Sequence, residues 1–183
     1  DWLPVFRFSS IIFCCVWLGT MTAWADQNDP RLDVLFDALQ STSDLQKGAF
    51  LTEQIWQRWR EFEDPVIAGL LSKGITAMGA NDLTAALDYF NQVIGRAPEF
   101  AEGWNKRATV YYLMGDYERS ITDIRETLLR EPRHFGAMAG FGWILLRQRD
   151  FVMAEHVLQK ALSVNPFLVD VRRQLRTLMN RSG

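Results

Sequence analysis

Few side chains in this sequence are suited to covalent or metal chemistry, and their spacing keeps them apart. The two histidines are His134, close behind Pro132, and His156, which follows Glu155. Adjacent residues on a helix point in different directions, so Glu155 and His156 cannot grip one ion from one side. The two cysteines, Cys14 and Cys15, both fall near the N-terminus. With no carboxylates clustered at ligand spacing, a metal centre is not expected. Ser120 has no histidine at a spacing that would activate it. Gly136, Gly140 and Gly142 lie within a stretch of helical periodicity, where close packing is a simpler use of small residues than cradling phosphate. The residues therefore predict no enzyme, no metal and no cofactor.

Charge narrows the partner classes. The 20 basic and 22 acidic residues leave a net charge of −2. A nucleic-acid binder normally carries a basic excess or stripe, and none is expected here. Two short basic spots exist, Arg58 with Arg60 and Arg172, Arg173 and Arg176 near the C-terminus.

The elements that would build a binding surface follow a period. Pro98, Pro132 and Pro166 stand 34 residues apart, and similar patterns of small and large apolar residues precede them. Gly74, Ala108 and Gly142 recur at one place, and Ala86, Ser120 and Ala154 at another. Small side chains there allow two helices to approach closely. Leu70, Trp104 and Met138, with Phe90, Ile124 and Leu158, fill the layers around them. Within each helix these positions are spaced by three, four or seven, which places them on one face. Asn81-Asp82-Leu83, Gly115-Asp116-Tyr117 and Arg149-Asp150-Phe151 mark the turns. Each Asp is expected to cap the helix that follows, and each apolar residue to pack inward. Proline disfavours helix in the residue before it and so ends each hairpin.

In period, small residues, turn aspartates and prolines, residues 67–168 resemble three repeats of the tetratricopeptide family. The resemblance implies an all-α fold, a right-handed α-solenoid of helical hairpins. One place usually apolar in the first helix holds Lys73 and Arg107, with Phe141 in the third repeat. The two basic stems are expected to snorkel toward water or toward an acid on a neighbouring helix.

Residues 1–25 read as an export signal. Arg7 precedes 18 uncharged residues, Phe8 to Ala25, and Ala23-Trp24-Ala25 supplies a small-x-small cleavage site. The alternative is an uncleaved membrane anchor, because the stretch is near the lower spanning limit. Phe13 before Cys14 disfavours a lipoprotein signal. Residues 26–66 are expected to form a degenerate capping hairpin. Its helices are marked by Leu32, Leu35, Phe36 and Leu39 and by Leu51, Ile55, Trp56, Trp59 and Phe62, with Asp44 as an N-cap. Trp56 and Trp59 read as core against the next repeat, or else as a binding platform. Residues 169–183 form a capping helix whose inner face is Val171, Leu175 and Leu178. Its arginines form a solvated face, or one that meets an anionic lipid or an acidic partner.

The resemblance implies that the first helix of each hairpin lines a concave groove. Three columns then stack there: Leu71, Asn105 and Ala139; Ile75, Thr109 and Trp143; Met78, Tyr112 and Leu146. Of these, Leu71, Ile75, Met78, Asn105, Thr109, Tyr112, Trp143 and Leu146 are the candidate ligand-binding residues. Such a groove suits a peptide or an amphipathic helix. Trp143 is expected to stand mid-groove, free of core duty. Relatives that clamp a terminal carboxylate use places held here by Leu71, Ile75, Lys106, Gly136 and Gly140, and Lys106 alone does not make that clamp. The function expected is a protein-interaction module of the bacterial periplasm, similar to small exported repeat proteins of Gram-negative envelopes. The alternative is an inner-membrane-anchored scaffold acting by self-association. The partner is a protein or peptide, with membrane contact only if the N-terminal segment is uncleaved.

Overall fold

The computed structural model describes residues 29–182; the segment read as an export signal, with both cysteines, lies outside them. The described residues form α-helices and no strands. They are α1 (Pro30–Ser41), α2 (Leu45–Arg60), α3 (Pro65–Gly79), α4 (Leu83–Arg96), α5 (Ala101–Leu113), α6 (Tyr117–Arg130), α7 (Phe135–Arg147), α8 (Phe151–Val164) and α9 (Val169–Ser182). Helices α3 to α8 pair as three hairpins. Successive first helices also meet, α3 on α5 and α5 on α7, which makes the α-helical solenoid.

Each hairpin turn is built the same way. Asp82, Asp116 and Asp150 accept a hydrogen bond from the backbone N–H three residues on, as expected of N-caps. The residue before each Asp has a left-handed backbone: Asn81 at φ 61°, Gly115 at φ 80° and Arg149 at φ 64°. That conformation lets the Asp N–H reach back to the carbonyls of Ala77, Tyr111 and Leu145, each at 2.9 Å, closing the preceding helix. Behind the caps, Leu83 and Tyr117 are half-buried as expected. Phe151 is not, standing 45% exposed.

The small positions do what their spacing requires. Ala86, Ala108, Ser120 and Ala154 are buried. A Cβ at Gly74 would sit 2.5 Å from Phe90 Cε1, and one at Gly142 would sit 2.6 Å from Leu158 Cγ. Ser120 donates its hydroxyl to the Ala108 carbonyl at 2.8 Å, so its polarity is used inside the hairpin. Arg107 reaches an acid on the neighbouring helix, pairing through two nitrogens with Asp123 at 2.7 and 2.8 Å. The Asp123 hydrogen bond holds its guanidinium above the ordinary arginine range. Lys73 is exposed.

Hairpin α1–α2 folds with Asp44 as the expected cap of α2 and with Asp29 as a further cap, on α1. Asp29 and Asp44 accept from the Arg31 and Lys47 amides. Its place is different from the expected one. Rather than stacking as a fourth layer on the first repeat, it lies across the ends of the later ones. Leu32, Phe36, Leu39, Leu51, Ile55 and Trp59 form one core with Phe135, and Val164, Phe167 and Leu168 pack against it. Trp56 and Trp59 are therefore not core against α3–α4. A Cβ at Gly48 would sit 2.5 Å from Phe167 Cγ, and one at Gly136 would sit 2.8 Å from Trp56 Cζ2. Polar contacts fix the register: Gln40 donates to the Val164 carbonyl at 2.6 Å, and Asp33 pairs with Arg133 at 2.6 Å. Helix α9 seats Val171, Leu175 and Leu178 on the stack and turns its arginines outward, as its pattern predicts.

Candidate functional site

The candidate groove divides into two halves, and the chain itself fills one of them. Four residues form each connection between repeats. Phe100, His134 and Leu168 end them, at the same 34-residue spacing as the prolines. Two of these positions are apolar. His134 is the exception and is fully buried. Its Nδ1 accepts the Ala137 N–H at 3.1 Å, capping α7, which leaves the ring proton on Nε2. That nitrogen lies 3.1 Å from Glu102 Oε2. Glu102, on the first turn of α5, also accepts from Asn105 Nδ2 at 2.8 Å and pairs with Lys106 Nζ at 3.0 Å.

Helix α2 closes this polar cluster. The Trp59 ring stacks on the His134 ring at 4.1 Å between centroids, and Lys106 Nζ stands 5.3 Å over the Trp56 ring. Burial pushes the Glu102 carboxyl upward. Lys106 and the hydrogen bond with His134 outweigh that, so it lies below the ordinary carboxylate value. Among the described residues, none group as three or more metal-ligating side chains. The arrangement can hold charge and fix α2; it has no open ligand position. Sequence reading placed His134 close behind Pro132 and missed the cluster. The signal was available as a lone histidine at a place where the neighbouring repeats carry Phe and Leu.

The other half of the groove is open. A cavity of about 290 Å³ lies on the face made by α5 and α7. Of the eight candidate residues, Asn105, Thr109, Tyr112 and Trp143 line it, joined by Gly136, Gly140 and Ile124. Gly140 makes the room: a Cβ there would meet only Ile124 Cδ1, at 3.8 Å. Its small size serves a cavity rather than close packing. The Tyr112 hydroxyl beside Arg147 holds that guanidinium above the ordinary arginine range.

The remaining candidates sit elsewhere. Leu71 is buried in the first repeat's core with Ile67, Phe90 and Phe100, and Ile75 and Met78 pack against that cluster. Leu146 packs with Trp143 against the inner face of α9. Trp143 thus has two roles, wall of the cavity and neighbour of α9, and is not free of core duty. The reason is spatial: α9 follows α7 as the next first helix and meets the side chains that point along the stack.

Comparison with known proteins agrees with this architecture. The tetratricopeptide repeat model matches residues 71–121 and 106–167. A TPR repeat-containing protein of Rhizobium etli is 31% identical over 151 residues, covering 82% of this chain and 74% of its own length. Among solved structures, the Sgt2 TPR domain from Aspergillus fumigatus superimposes with a TM-score of 0.59 at 23% identity. It covers 64% of this chain and 79% of that domain. The first TPR of Spaghetti (RPAP3), solved bound to an HSP90 peptide, gives 0.59 at 15% identity, covering 63% and 91% of the two chains. Repeat period, turn construction, solenoid and sequence likeness all converge, and the chain belongs to the tetratricopeptide repeat family.

Proposed function

We propose that this protein is a peptide- or helix-binding module rather than an enzyme. It holds one large apolar side chain of its partner in the cavity between α5 and α7. The observation that carries the reading is the 290 Å³ cavity whose space Gly140 provides. Apolar walls from Trp143, Tyr112 and Ile124 supply contact area, and Asn105 and Thr109 are the polar groups beside it. Aromatic residues at the centre of an interface commonly carry much of its energy. The Spaghetti repeat domain binds a peptide in its solved complex, which supports the same use of the fold here. The apolar stretch Phe8–Ala25 with its Ala23-Trp24-Ala25 site supports work in the bacterial periplasm after export.

A displayed library of random peptides, selected on the full-length protein, tests the binding. Selected peptides should share a large apolar residue and lose affinity for a Gly140→Leu variant, whose side chain fills the cavity. The melting temperature of that variant should stay within a few degrees, since its Cβ meets nothing closer than Ile124. Peptides that bind Gly140→Leu as tightly as the wild type would sink the proposal. Sequencing the N-terminus of protein recovered from the envelope tests export, with Asp26 the expected first residue.

A further inference from the structure

A second surface lies away from the groove. Helices α2 and α9 leave a cleft of about 370 Å³ lined by Leu45, Ala49, Phe167, Val169, Arg172, Arg173 and Arg176. On α9, Val169, Arg172, Arg173, Arg176 and Met179 are spaced to share one face, opposite the buried Val171, Leu175 and Leu178. That outer face combines two properties. Three arginines stand exposed on it, and Leu45, Val169 and Met179 are 69%, 67% and 61% exposed around them.

The charges are not consumed internally. Arg173 faces Asp170 at 3.5 Å with both side chains largely in water, where such a pair is weak. Arg172 donates to the Pro166 carbonyl, a neutral partner. Arg176 has no ion pair among the described residues. At the start of α2, Asp44 and Lys47 balance each other in charge. The face is therefore cationic within a chain of net charge −2.

We propose that the α2–α9 face docks on an anionic phospholipid surface. The guanidinium groups engage headgroup phosphates, and Leu45, Val169 and Met179 enter the interfacial layer. Arginine suits this task because its planar fork meets phosphate oxygens in pairs. Exposed apolar residues flanking the arginines favour a lipid interface over a purely acidic protein surface, because a membrane takes both charge and apolar side chains at one depth. This surface is independent of the groove, and its failure would leave the groove reading untouched.

The test uses the full chain on vesicles of phosphatidylcholine alone and with about one quarter phosphatidylglycerol. The N-terminal apolar stretch is common to all samples, so the measured quantity is the excess binding to anionic vesicles. That excess should disappear as salt rises from about 0.1 to 0.5 M. The triple variant Arg172→Gln, Arg173→Gln, Arg176→Gln should lower it about a hundredfold. Hydrogen exchange should show protection of α9 and the start of α2 on anionic vesicles only. The variant's melting temperature should match the wild type, because all three side chains are exposed. An anionic excess that survives the triple substitution, or vesicle binding without protection of α9, overturns the proposal. So does protection of α9 by a soluble poly-glutamate peptide with no anionic excess on vesicles, which would assign the face to an acidic protein.

Discussion

His134 stands in its repeat where Phe100 and Leu168 stand in theirs, and that exchange organises the polar centre of the molecule. A buried imidazole is tolerated because both nitrogens are used, one by the Ala137 amide and the other by Glu102. Glu102 in turn is tolerated because Lys106 and Asn105 reach it. Its carboxyl is held below its ordinary value of 4.5. A depressed acid contributes stability that is present above the unfolded-state value and lost as pH falls through the folded one. Unfolding free energy should therefore decline as pH drops below about 4.5, with at most about 1.4 kcal/mol per pH unit from this group. Glu102→Gln should cost about 3 kcal/mol at neutral pH, because Lys106 loses its buried partner. It should also flatten that part of the acid profile. Urea titrations of both proteins across the acid range measure the two effects. A variant profile parallel to the wild type would show that Glu102 is not the group responsible.

At the scale of the element, three turns of one construction allow a test with opposite signs. Gly115 and Arg149 occupy equivalent left-handed positions. An L side chain pays a steric cost there that glycine avoids, about 1 kcal/mol. A Cβ at Gly115 would touch nothing within 4 Å, so the cost of adding one comes from the backbone alone. Gly115→Ala should lower unfolding free energy by about 1 kcal/mol, and Arg149→Gly should leave it unchanged or raise it by up to the same amount. Denaturant melts of the two single variants and the double variant check the signs. Both substitutions lowering stability equally would mean that the two turns are not equivalent. These turns were legible in the sequence because everything that defines them is local. Asp caps, small residues facing each other across a hairpin and the closing prolines all act within one 34-residue unit, and each repeat restates them. Phe151 was misplaced because the inward position after the Asp needs a neighbour to cover it.

The arrangement of the whole chain was not legible, because the contacts that set it join distant residues with no period. Trp56 lies over Gly136, Phe167 over Gly48 and Trp59 on His134. Apart from His134, which stands where the neighbouring repeats carry Phe100 and Leu168, no partner in these pairs carries a signal alone. Tryptophan beside an apolar run reads as core anywhere, and a helical glycine reads as close packing with any neighbour. The candidate site was legible to the same degree. Asn105, Thr109, Tyr112 and Trp143 follow from column positions within repeats, whereas α1–α2 filling the adjacent half follows only from tertiary structure. Helix α7 offers the decisive comparison, since Gly136 and Gly140 lie one turn apart and both line the cavity, but only Gly136 also abuts the Trp56 ring. A side chain at 136 must displace the Trp56 ring, while one at 140 enters the open cavity. Gly136→Leu should therefore overpack the docked hairpin, costing about 1–3 kcal/mol. It should speed proteolysis of the Glu61–Asp64 linker and shift tryptophan emission as Trp56 meets water. Gly140→Leu should leave linker cleavage and emission close to the wild type. Limited proteolysis with parallel fluorescence spectra on both variants separates the cases. Equal cleavage of the linker in the two would mean that the hairpin is not held by the Trp56–Gly136 contact, and that both halves of the groove are open to a partner.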